Sequence, residues 1–171
     1  MRINLVFLMV ILFFNLPACV YLADTSSQNK GMTYSPTKKS VHFRLIAAKN
    51  ANNNGYNYNG YYQGNVDLQV PVDWKVTITL VNQDANAVHS VILTRPFLLD
   101  DMPDELSGEF AVIARAYTDP IFSGEQETLQ FIAKEGRYWL FCGIKGHGIN
   151  GMWIKFSVLK NLKIPLIVEQ K

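Results

Sequence analysis

The stretch Tyr138-Trp139-Leu140-Phe141-Cys142-Gly143-Ile144-Lys145-Gly146-His147-Gly148-Ile149-Asn150-Gly151-Met152-Trp153 carries most of what the chain says about itself. Five apolar or aromatic residues end in a cysteine, a loop with four glycines follows, and a second apolar run begins at Trp153. That order describes two strands joined by a tight turn. Gly143, Gly146, Gly148 and Gly151 let such a turn close, because a residue without Cβ adopts backbone angles that others avoid. Cys142, His147 and Met152 are each separated by four residues. The turn can therefore bring a thiolate, an imidazole and a thioether toward one point. Two soft sulfur donors with an intermediate nitrogen suit copper cycling between its cuprous and cupric states.

A fourth donor must come from elsewhere in the chain. There are three histidines, His42, His89 and His147, and two cysteines, Cys19 and Cys142. These counts exclude a disulfide-stapled fold and a four-cysteine zinc site, and leave material for one soft-ligand centre at most. His42 and His89 both stand beside strand-like runs, so position alone does not choose between them. His89 lies where the polar turn 82–86 gives way to the apolar run 90–93. Taken with it, two histidines, one cysteine and a weak axial methionine form the ligand set of a blue-copper electron-transfer site. The plainer alternatives are a small buried thiol for Cys142 and a core methionine for Met152, as Met9, Met32 and Met102 are expected to be ordinary residues. The spacing within a glycine-rich turn weighs against both.

Outward from this hairpin the rhythm is all-β. Short runs rich in β-branched and aromatic residues recur at 41–48, 66–70, 75–81, 90–94, 128–133, 137–141 and 153–159. In Lys75-Val76-Thr77-Ile78-Thr79-Leu80-Val81 apolar side chains alternate with polar ones, as a half-buried strand requires. Residues 109–117 depart from this pattern. Phe110, Ile113, Ala114 and Tyr117 recur at spacings of three and four, which predicts a short helix. Residues 50–65 hold seven Asn, four Tyr and three Gly, a composition that favours turns, although Tyr56-Asn57-Tyr58-Asn59 also alternates and could hide a strand edge.

The 171 residues amount to one domain plus a targeting segment, and 49% apolar content is enough for a core. A net charge of +2 gives no support to a nucleic-acid partner. Arg2 followed by ten uninterrupted apolar residues, 5–14, and then Leu16-Pro17-Ala18-Cys19 has the layout of a secretion signal. Cleavage before a lipidated Cys19 is one reading of residues 1–23; an uncleaved membrane anchor is the other. Either places the domain on the extracytoplasmic face of the membrane. Residues 24–40 then read as a flexible linker, 41–159 as the domain, and 160–171 as a C-terminal extension.

The Phe141-Cys142-x4-His147-x4-Met152 block, Gly136 opening the strand before it and the upstream His89 together resemble the cupredoxin family of blue-copper proteins. Tyr56-Asn57-Tyr58-Asn59-Gly60 and the Cys-Gly-x-x-Gly-His-x-x-x-Gly-Met-Trp block are most similar to its membrane-attached sulfocyanin branch. The resemblance implies a Greek-key β-sandwich with one type 1 copper near one end. It implies His89, Cys142 and His147 as strong ligands and Met152 as the axial one. Ser90 takes the place after the first ligand, where cupredoxins often carry a polar residue, commonly Asn, that bonds across to the Cys loop. The expected function is single-electron transfer between respiratory-chain partners, a donor and a terminal oxidase or similar acceptor, by a monomer that is not an enzyme. Electrons should pass at His147, flanked by an apolar docking patch of Ile144 and Ile149. An apolar shell of Tyr138, Trp139, Phe141 and Trp153 should raise the reduction potential. A copper storage or delivery protein and a small open-site copper enzyme are the competing classes.

Overall fold

Alternation builds the first sheet. The computed structural model describes residues 31–170. Strands β1 (Met32–Ser35), β2 (Ser40–Ala47), β4 (Lys75–Asn82) and β6 (Gln126–Ile132) pair in the order β1-β2-β4-β6, with β2 and β4 parallel and the rest antiparallel. Val41, Phe43, Leu45 and Ala47 of β2 point to one face with Val76, Ile78 and Leu80 of β4 and Leu129 and Phe131 of β6. His42, Arg44, Thr77 and Thr79 take the other face, as the period of two requires.

The second sheet is formed by β3 (Val66–Pro71), β5 (Ile92–Thr94), β7 (Gly136–Phe141), β8 (Trp153–Leu159) and β9 (Leu166–Glu169), in the order β5-β7-β8-β3-β9. From β2 to β7 every connection crosses from one sheet to the other, which gives an all-β sandwich of the expected kind. Between the sheets, Phe156 meets Phe43 and Phe131 edge-on, with ring centroids 6.3 and 5.7 Å apart. The outer face of the second sheet is also covered. There Ile92, Leu106, Trp139, Phe141 and Trp153 make a second apolar cluster, roofed by Phe97 and Met102. Burial on both faces explains why 138–142 is an unbroken apolar run instead of an alternating one.

Three expectations need correction. The linker expected over 24–40 contains β1, whose Met32 is core and which pairs with β2 from Met32↔Phe43 to Ser35↔Ser40. The C-terminal extension 160–171 contains β9, paired with β3 from Val66↔Glu169 to Gln69↔Leu166, so the sheets extend past both bounds read from the sequence. The helix expected over 109–117 is a single 3-10 turn, Gly108–Phe110. Beyond it the backbone bonds to β5: Val112 N–H donates to the Leu93 carbonyl and Leu93 N–H to the Ala116 carbonyl. Arg115 has a φ of 61°, which no right-handed helix contains. The spacing of three and four came from a segment folded over β5. The signal or anchor expected over 1–23, including Cys19, lies outside the described residues. Among those residues no helix is long and apolar enough to cross a membrane.

Candidate metal centre

Cys142 leaves the end of β7 and Met152 precedes β8, so the hairpin sets them opposite one another. Cys142 N–H donates to the Met152 carbonyl and Met152 N–H to the His147 carbonyl, each at 3.0 Å. Inside the loop, His147 N–H donates to the Ile144 carbonyl and Gly151 N–H to the Gly148 carbonyl. The loop holds its own side chains in place with short-range bonds. His89 comes from the other side of the site, just before β5, where its backbone pairs in both directions with Ile121.

The donor atoms of His89, Cys142 and His147 all lie within 4.8 Å of one another. Cys142 Sγ is 3.6 Å from His147 Nδ1, and the two imidazole centroids are 4.9 Å apart. Cys142, His89 and Met152 have no solvent exposure, whereas His147 keeps 8%. The structure brings His89, Cys142 and His147 together, and Met152 is buried in the same core cluster as Cys142. His42 is elsewhere: it is exposed on β2, where its Nε2 and Thr79 Oγ1 are 2.9 Å apart.

One ring nitrogen tests whether a metal fits. His89 Nε2–H donates to Asp84 Oδ2 at 3.2 Å, while His89 Nδ1 is buried without a hydrogen-bond partner. A bare buried acceptor is costly, and a cation at that point removes the cost. The carboxylate fixes both the tautomer and the ring orientation, the usual arrangement behind a metal-bound histidine. Asp84 is itself held below the ordinary carboxylate range, first by the backbone N–H of Asn86 and then by His89. Burial lowers the affinity of His89 for a proton against the opposing pull of Asp84. Burial, then the neighbouring His89, lowers His147 to about 4, leaving its lone pair free for a metal through the mildly acidic range. Burial pushes the Cys142 thiol up, so deprotonation there calls for a cation.

Ser90 performs the task commonly given to Asn. Its Oγ accepts the Gly143 N–H at 3.0 Å, tying the segment that carries His89 to the cysteine loop. Sequence reasoning missed three neighbours: Asp84, Tyr56 and Tyr58. The Tyr56 ring lies 4.9 Å from that of His147, and the fully buried Tyr58 donates its hydroxyl to the Ser90 carbonyl. The alternation of Tyr56-Asn57-Tyr58-Asn59 was the available signal, but it did not say what the tyrosines face.

A Greek-key sandwich with two imidazoles and a thiol converging at one end defines a cupredoxin, a blue-copper electron-transfer protein with a single type 1 copper. Residues 26–169 match the sulfocyanin (SoxE) domain, and the chain belongs to that family. It is 26% identical over 143 residues to sulfocyanin of Sulfolobus acidocaldarius, covering 79% of this chain and 71% of that protein. Among solved structures it is similar in fold to a histidine-to-methionine variant of rusticyanin, with a TM-score of 0.57, 20% identity, and coverage of 80% of this chain and 88% of the other. Reduced auracyanin from Roseiflexus castenholzii aligns with a TM-score of 0.50 and 18% identity over 69% of this chain and 96% of the other.

Proposed function

We propose that the chain is a membrane-tethered carrier that passes single electrons between respiratory-chain partners outside the cytoplasm. His89, Cys142 and His147 are its strong copper ligands and Met152 the weak axial one. The convergence of three buried donors within 4.8 Å, in a chain of this family, carries the reading. Copper bound there supplies the one-electron couple.

The side chains divide the remaining work. Asp84 orients His89, Ser90 holds the cysteine loop against β5, and the complete burial of His89, Cys142 and Met152 excludes water, which disfavours the more highly charged oxidised state and supports a raised potential, although Trp139, Phe141 and Trp153, expected to form that shell, pack instead in the cluster on the outer face of the second sheet. Four protein donors leave no open position for a substrate, which supports a carrier over an enzyme. Tethering is supported by the signal-like pattern of residues 1–23 and the respiratory setting by the family resemblance. Loading the purified chain with cupric salt should give one tightly held copper, an intense thiolate-to-copper band and reversible cycling. Ready loss of copper to a chelator, or a spectral change on adding azide, would overturn the carrier in favour of delivery or open-site chemistry. Cell fractionation tests the tether: the full chain should sediment with membranes, and Cys19→Ala should release it if the anchor is a lipid.

Electron exchange should run through His147, the one of the three converging residues that reaches solvent. Ile149 beside it is 45% exposed and Ile144 is half-buried, an apolar surface a redox partner can cover. Ile149→Glu is expected to slow reaction with the partner about tenfold, equivalent to roughly 1.4 kcal/mol of lost docking, with the visible spectrum unchanged. Stopped-flow oxidation checks this, and a wild-type rate would refute the patch.

A further inference from the structure

The segment 97–111 lies over the outer face of the second sheet and has two unlike sides. Phe97, Met102, Leu106 and Ala111 belong to the apolar cluster there, with the Phe97 ring 5.5 Å from that of Phe141 and 6.0 Å from that of Trp139. Leu98, Leu99 and Phe110 face water instead, at 77%, 66% and 55% exposure. Single exposed apolar residues are ordinary, but three large ones on one short segment mark a surface that something else covers. Between them stand Asp100, Asp101, Asp104, Glu105 and Glu109, all exposed, and no Lys or Arg. The whole chain carries +2, so this negative charge is local. Among the described residues these five make one ion pair, Asp104 Oδ2 with Lys145 Nζ at 4.0 Å, and both side chains are at least half exposed. A pair so long and so wet offsets little of five negative charges.

The same segment is joined to the ligand loop at two points. Leu106 N–H donates at 2.9 Å to the carbonyl of Gly143, the residue after Cys142. Gly146, the residue before His147, donates its N–H to the Asp104 carbonyl at 2.8 Å. Glu105 and Ile144 line one cleft, so the carboxylates adjoin the apolar patch beside His147. A protein seated on 98–110 is therefore one hydrogen bond and one peptide link from each of two ligands.

We propose that 98–110 is the docking surface for a cationic redox protein, one that rings an apolar contact with Lys or Arg, and that it holds this partner against the His147 patch. The proposal rests on the carrier function and the ligand assignment given above. The carboxylates speed the encounter with an oppositely charged surface, an attraction that salt screens. Covering Leu98, Leu99 and Phe110 then takes apolar area out of water and holds the partner once it has arrived. A carboxylate placed inside the apolar contact itself, as in Ile149→Glu, still slows such a partner because it must shed its water there.

Stopped-flow electron exchange between the copper-loaded full chain and cytochrome c, a basic haem protein, tests this. The wild-type rate is expected to fall about tenfold between about 10 mM and about 200 mM salt. Asp101→Asn/Glu105→Gln should slow the low-salt rate about fivefold and flatten its salt dependence. Leu98→Ser/Leu99→Ser should slow it by a similar factor and keep the salt dependence. Asp73→Asn/Glu135→Gln removes the same charge from the opposite end of the sandwich, before β4 and β7, where only exposed ion pairs are lost, and should react as the wild type does. With ferricyanide, an anionic oxidant, Asp101→Asn/Glu105→Gln should be at least as fast as the wild type. Equal slowing by the two carboxylate variants would reduce the effect to net charge and overturn the docking surface, as would wild-type rates in both patch variants. A dimer in sedimentation that the leucine variant loses would assign the surface to a second copy and overturn the cationic partner. A wild type that lacks the thiolate band, or exchanges no electrons even with ferricyanide, overturns the carrier itself and this proposal with it.

Discussion

Cys142→Ser is expected to abolish the intense visible band of the copper-loaded protein and to weaken copper binding by a hundredfold or more. The band requires a thiolate bonded to cupric copper, and a serine hydroxyl is a harder donor that stays protonated near neutral pH. A hundredfold weaker site corresponds to about 2.8 kcal/mol. The same amount should disappear from the stabilisation that copper gives the folded chain, because a ligand bound only to the native state stabilises by mass action. The copper-free variant should melt close to the wild type: oxygen for sulfur is a small change, and His147 Nδ1 lies within reach as a hydrogen-bond partner. Visible and paramagnetic-resonance spectra with thermal melts, each with and without copper, check the two halves. A serine variant that keeps its colour would mean that the sulfur is not a ligand.

The hairpin that carries Cys142, His147 and Met152 was legible because its information is local. Cysteine, histidine and methionine lie within eleven residues of one another, and the glycines that shape their loop lie between them. His89 was harder. Its distinction from His42 is a matter of tertiary pairing: β5 runs beside β7 and so puts His89 against Cys142, while His42 faces outward from β2. No local pattern separates two histidines that each flank a strand. Asp84 and Tyr58 follow the same rule, since the polar turn and the Asn-rich loop look like surface connections until the sandwich brings them to His89 and Ser90.

Among the strands, legibility followed burial. The runs at 75–81 and 153–159 appear as β4 and β8 with at most one residue of difference, because each places apolar side chains in a core. The strands β1 and β9 are short edges with little of their own to bury; Leu166 and Val168 of β9 are exposed. Their pairing is written in the partners' free backbone groups instead of in their own side chains. The supposed helix at 109–117 failed for the opposite reason. Its apolar spacing was real, but the backbone bonds of β5 were stronger competitors than an isolated turn, which is costly to nucleate.

Gly143→Ala is expected to be strongly damaging, costing about 3 kcal/mol and disturbing the copper spectrum. A Cβ built on Gly143 would lie 2.2 Å from the Leu106 carbonyl oxygen and 2.6 Å from Ile92 Cδ1. The isoleucine can turn aside; the carbonyl cannot. Leu106 is fixed from the other direction, since its N–H donates to the Gly143 carbonyl at 2.9 Å. Overpacking of this kind costs roughly 1–3 kcal/mol, and losing the Gly143 N–H bond to Ser90 Oγ adds roughly 1 kcal/mol. At roughly 2–4 °C per kcal/mol for a chain of this size, the melting temperature should fall by about 6–12 °C. Gly124→Ala is the control. Its added Cβ meets nothing within 4 Å, so only the strain of its φ of 79° remains, about 1 kcal/mol. The two glycines thus separate close approach from backbone freedom. Moving Gly143 also pulls Cys142 away from Ser90, so the thiolate band should broaden or shift in Gly143→Ala and stay fixed in Gly124→Ala. Equal melting of the two variants would refute the claim that β5 and the Leu106 segment clamp the cysteine loop.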